Sequence, residues 1–196
     1  MKPINKIQEY LGLADVDYLA ARLLILNKIP TVGLSKSAEA LEKQFKLFFL
    51  IYEKITNNKE LTIKEMKNRG HNLIEMMESY NSVAPQNHLL GEDWREYLSV
   101  LQESYNRRYP EHWEEWKIKL DINQLDQAYT YLRNINVSNI PQELKNRALE
   151  FGTFLGDIWR DEDSIEKVRN LGLKTPMEIL ELCNQSYEEL TIKGKI

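Results

Sequence analysis

Ala38, Leu41, Phe45, Phe48, Tyr52 and Ile55 recur at alternating intervals of three and four along the segment SAEALEKQFKLFFLIYEKI. An α-helix turns once in about 3.6 residues, so this spacing lines one face of a helix and no face of a strand. Leu47, Phe49, Leu50 and Ile51 widen the apolar surface until the helix is nearly hydrophobic all round. Such a helix belongs in the middle of a bundle or beneath a partner subunit. The breadth of the face from Phe45 to Tyr52 predicts a homodimer, because it exceeds what one neighbouring helix covers.

The rest of the chain repeats the helical signal. With 8 Gly and 6 Pro in 196 residues, turns are few, which favours long helices over a β-sandwich. A short helix is expected over Ile4 to Leu11, ended by Gly12, with Asp15 or Asp17 capping the next. Pro30 and Gly33 are read as its end, and Ser35 or Ser37 as the cap of the third helix, which Asn57 and Asn58 break. Thr62 and Glu65 have capping-box spacing, and Asp93 is placed to cap a later helix. The predicted helices lie near 17–27, 36–55, 71–81, 93–107, 111–120 and 122–134, with Leu23, Leu41, Phe45, Phe48, Leu73, Leu98 and Leu101 in the core. Asn134 to Pro141 reads as a linker, dividing residues 1–135 from a C-terminal helical extension over 136–196. No strand pattern and no internal repeat are visible in the sequence read this way.

A net charge of −4 confines any nucleic-acid contact to a local patch. One candidate is the run containing Lys43, Lys46, Lys54, Lys59, Lys64, Lys67 and Arg69 against Glu53, Glu60 and Glu65, a local excess of +4. Its alternative is a solvated helix face. Within it, Lys43, Lys46 and Arg69 are candidate nucleotide or RNA ligands, joined by His71, whose position at an expected helix start suits a phosphate. The alternative for His71 is a capping or packing role. Cys183 is the one cysteine, read as a buried small hydrophobe. The N-terminus lacks a signal-peptide core and LFFLIY is too short to span a bilayer, so a cytoplasmic protein without membrane association is expected. The three histidines have no metal-binding spacing, and there is no glycine-rich nucleotide loop, so neither metal nor cofactor is expected.

Arg107, Arg108 and His112 form the cluster with the most chemistry. A guanidinium can hold a phosphate while an imidazole near neutral pH moves a proton on or off a ribose 2′-hydroxyl or leaving oxygen. Arg107 and His112 are five apart, workable across the break that Pro110 imposes. A helix–helix corner accounts for the same residues without catalysis.

Together, DYLAARLLILNKIP, the Ala38-Glu39-x-x-x-Lys43 pattern, GHNLIEMME, RRYPEHW and LDQAYTYLR resemble the HEPN family of helical domains over roughly residues 15–133. The resemblance implies an antiparallel helical bundle, frequent homodimerisation, and association with nucleotides, RNA, a nucleotidyltransferase partner or an antitoxin. Catalytic members carry an Arg, then His four to six positions on, which Arg107, Arg108 and His112 match, although Pro110 falls inside the motif. Three readings follow. One is a binding module without catalysis; another is a metal-independent endoribonuclease of toxin or defence type. The third is a purely structural interaction protein.

Overall fold

A computed structural model describes residues 6–107 and 122–141 of the chain. They form α1 (Lys6–Leu26), α2 (Pro30–Asn57), α3 (Ile63–Asn68), α4 (Leu73–Asn81), α5 (Glu92–Asn106) and α6 (Ile122–Asn139), with a short 3-10 turn at Gln86–His88. Among the described residues there is no strand, and the protein is all-α. The helix expected at 111–120 lies outside the described residues.

α2 is the centre of the bundle and packs against α1, α4, α5 and α6. Its apolar run is covered within the chain: Leu41, Phe45 and Leu47 are fully buried and Phe48 to Ile51 nearly so. The bundle therefore supplies the cover that the sequence reading assigned to a second subunit. Leu73, Met76, Met77 and Tyr80 of α4 and Leu98 and Leu101 of α5 complete this core. Leu23, expected among them, is 37% exposed, because it lies on the outer side of α1.

Gly12 does not stop a helix. α1 runs unbroken through it, and Gly12 is buried. A mid-helix Gly costs about 1 kcal/mol relative to Ala, which burial of a 21-residue helix readily offsets. Asp15 and Asp17 cap nothing, since their carboxylates are engaged elsewhere. Asp17 accepts from Lys43 and, at 3.4 Å, from Lys36. Asp15 accepts from Arg133 Nε at 2.8 Å.

The chain then turns with Lys28 in the left-handed region (φ 61°), and Pro30 opens α2 at its first turn instead of closing α1. Ser35 and Ser37 accordingly sit inside α2, where Ser37 Oγ donates to Gly33 O at 2.9 Å. Gly33 lets α2 come close to α1. A Cβ there would stand 2.7 Å from Ile25 Cγ1 and 3.2 Å from the Ala21 carbonyl oxygen. Gly33→Ala gains helix propensity yet is expected to lose about 1–2 kcal/mol net, because a backbone atom cannot step aside. Urea unfolding of the pair checks this; equal or greater stability in the variant would refute the close approach.

The Thr62 capping box forms as the spacing implies: Glu65 N donates to Thr62 Oγ1 (3.2 Å) and Thr62 N to Glu65 Oε2 (2.7 Å). Asn58, at φ 46°, ends α2 as expected. α4 begins at Leu73, with Asn72 Oδ1 accepting from Ile74 N at 3.0 Å, so His71 stands just ahead of the helix. Asp93 lies in the first turn of α5, behind Gly91 as cap. The linker expected at Asn134 to Pro141 is helix as far as Asn139. Asn136 is buried and its Nδ2 donates to Gln44 O (2.9 Å) and Gln44 Oε1 (2.8 Å) on α2.

α1 and α6 are joined by a reciprocal polar clamp. Arg133 and Tyr129 of α6 both donate to Asp15 of α1. Arg22 and Tyr18 of α1 both donate to Asp126 of α6, Tyr18 Oη at 2.6 Å. The Tyr18 and Tyr129 rings lie flat on each other between the two pairs, 4.1 Å apart and 4° from parallel. Each helix thus contributes D-x-x-Y-x-x-x-R, at Asp15–Tyr18–Arg22 and at Asp126–Tyr129–Arg133, a short internal repeat that the sequence reading missed.

Burial, then the neighbouring Asp126, raises the Tyr18 phenol well above the ordinary range; burial, then Asp15, does the same to Tyr129. A phenol whose pKa is higher folded than unfolded stabilises fully below about pH 10 and less as pH rises beyond it. Burial pushes the Tyr80 phenol far up as well, so absorbance titration at 295 nm is expected to show at least three of the ten tyrosines silent until alkaline unfolding. Smooth ionisation of all ten in the folded protein would contradict the buried pair.

Candidate functional site

The described candidate residues divide between ion pairs within the bundle and one corner of it. Lys43 is bound to Asp17 and lies 4.0 Å from Glu39. Lys54 and Lys59 face Glu60 (3.5 Å) and Glu65 (2.6 Å). Arg69 lays its guanidinium over the Phe49 ring, 4.1 Å from the centroid, with Glu53 at 3.8 Å. The run of bases is thus threaded with carboxylates, three of which (Asp17, Glu39 and Glu42) precede it in sequence and escape a local charge count.

The corner is built on Glu42. This residue is buried in α2, and its carboxylate accepts from Lys46 Nζ, one helical turn on, at 2.6 Å. His71 comes to it from the loop before α4, with Nδ1 2.9 and 3.0 Å from the two carboxylate oxygens. The His71 side chain is 59% exposed whereas that of Glu42 is only 11% exposed. A buried carboxylate accepting Nδ1–H fixes the orientation of the ring and leaves its Nε2 edge outward, where a ligand can reach it.

Two further elements converge here. Tyr105 of α5 stacks on His71, ring centroids 6.4 Å apart and 24° from parallel. Gln102 of α5 accepts from Leu73 N at 2.8 Å, tying the start of α4 to the same helix. On α1, Tyr10 has its phenol raised by burial first, then by the charges of Glu42 and Glu9. The corner therefore offers an oriented imidazole and an aromatic face, backed by a Glu42–Lys46 pair whose lysine side chain is only 6% exposed. An imidazole beside an aromatic ring can meet a phosphate ester joined to a flat base. Glu42 and Tyr105 were not candidates in the sequence. The i, i+4 spacing of Glu42 and Lys46 was visible, but 29 residues separate Glu42 from His71.

Arg107 caps α5 two residues beyond Tyr105, and its guanidinium is held by Glu103 Oε1 at 2.7 Å. Arg108, His112 and Cys183 lie outside the described residues. Among the described residues no group of three or more His, Cys, Asp or Glu is placed to hold a metal ion. In that same part of the chain, no helix is long and apolar enough to cross a membrane.

Compared with known proteins, the chain matches no family model, no curated protein and no solved structure.

Proposed function

We propose that this protein is a HEPN-like binding module that takes a phosphate-bearing ligand, a nucleotide or single-stranded RNA, at the His71 corner. The observation that supports this reading is the fixed and exposed imidazole of His71, seated on buried Glu42 beside Lys46 and Tyr105. A phosphate oxygen accepts from Nε2–H when the ring carries both protons, Lys46 stays on Glu42 behind it, and a base lies against the Tyr105–His71 stack. Because most neighbouring bases are already paired, few phosphates are neutralised. The dependence of log K on log salt is accordingly expected to be shallow, roughly −1 to −2.

Fluorescence anisotropy with a labelled single-stranded RNA, and competition by ATP, test the reading directly. His71→Ala is expected to weaken binding about 10- to 100-fold, the worth of one charge-assisted hydrogen bond. Lys59→Ala, whose ammonium is held by Glu65, should leave it unchanged. Binding that ignores His71, or its absence for both ligands at millimolar concentration, would end the reading.

A further inference from the structure

We propose that the outer seam of α1 pairs antiparallel with the same seam of a second copy of this chain. α1 is apolar on both sides. Its inner face buries Ile7, Leu11, Ala14, Tyr18 and Ala21 against the bundle. Its outer face carries Leu13 (45% exposed), Val16 (40%) and Leu23 (37%), with half-buried Ala20 between them. A helix lying on a monomer's surface ordinarily keeps polar residues on that side.

The spacing along the seam identifies the occupant. Glu9, Leu13, Val16, Ala20, Leu23 and Asn27 follow one another at intervals of four, three, four, three and four, the a/d register of a coiled-coil contact. The seam is also self-complementary about its midpoint near residue 18. In an antiparallel pair Leu13 meets Leu23 of the other copy, and Val16 meets Ala20. Exposed Glu9 meets the turn bearing Asn27 and Lys28, which joins opposite charges at both ends. A two-fold axis through that midpoint makes the contact isologous and closed. Ile29 and Val32, 47% and 50% exposed, extend the apolar surface past the end of the helix.

α1 has 21 residues and is therefore about 30 Å long, which sets an interface at the small end of the specific range. Association on the order of micromolar is expected.

Sedimentation velocity from about 1 to 200 µM should show a monomer–dimer equilibrium, and Leu13→Glu should raise its dissociation constant at least roughly tenfold. Register is read by disulfide trapping in a Cys183→Ser background. Leu13→Cys chains oxidised together with Leu23→Cys chains should give the mixed dimer, and neither variant should link to itself. A strict monomer across the range overturns the proposal, as does a dimer indifferent to Leu13→Glu. Self-linking of Leu13→Cys points to a parallel contact and overturns it too. So does a Leu13→Glu variant that loses folding stability while still monomeric, because the seam is then covered by the chain itself.

Discussion

Asp126→Ala is expected to destabilise the fold by about 3–5 kcal/mol, because it removes the carboxylate that pairs with the guanidinium of Arg22 in a fully buried site. Natural domains hold only about 5–15 kcal/mol in total, so this one carboxylate decides whether much of the population is folded. Asp15→Ala should behave alike through Arg133. The penalty belongs to the charge left behind. Removing both partners together, as in Asp126→Leu with Arg22→Met, should recover most of the loss. A double-mutant cycle by urea unfolding separates the two effects. If the double variant is as unstable as the sum of the singles, the pair is not the source of the loss.

Phe45→Ala should cost a similar amount, about 3–5 kcal/mol, by opening a cavity at the centre of the bundle. Phe45 is fully buried and meets the Tyr80 ring edge-on, centroids 5.9 Å apart and 68° from parallel, so the loss includes an aromatic contact. Leu23→Ala is the informative contrast. The sequence pattern ranks the two alike, whereas the outward position of Leu23 limits its loss in the folded monomer to roughly 1 kcal/mol. Midpoints of chemical denaturation, with slopes held equal, distinguish the cases. Equal losses at the two positions would show that α1 is rotated from its described orientation.

The contrast between those residues marks where local pattern stops informing. Period alone identifies helices, and the spacing from Ala38 to Ile55 does so for α2 without ambiguity. Which side of a helix faces inward is another matter when both sides are apolar, as in α1. The pattern placed Leu23 in the core, yet the core took Leu11, Ala14, Tyr18 and Ala21. The breadth of α2, which by pattern alone suggested a second copy, is filled by four neighbouring helices.

Polar residues misled for a related reason. Asp15 and Asp17 looked like caps, and Asn134 to Asn139 like linker, because such residues ordinarily satisfy nearby backbone or water. Here their partners are remote. Asp15 finds Arg133, 118 residues away, and Asn136 finds Gln44, 92 residues away. The D-x-x-Y-x-x-x-R repeat was present in the sequence, but three polar positions in eight carry no meaning until two antiparallel helices set each Asp against the other's Arg.

The sequence by itself determined the helical class, the central role of α2, the Thr62 capping box and the break at Asn57, because each follows from the backbone's local period and hydrogen-bonding needs. It also marked Lys46 and His71 as residues able to meet a phosphate. Only the tertiary structure decided that they share a carboxylate, that Tyr105 backs the imidazole, and that Lys43 and Arg69 are committed to other partners. Charges in a bundle pair across helices brought together by apolar burial, and that burial is indifferent to which polar residues it makes neighbours.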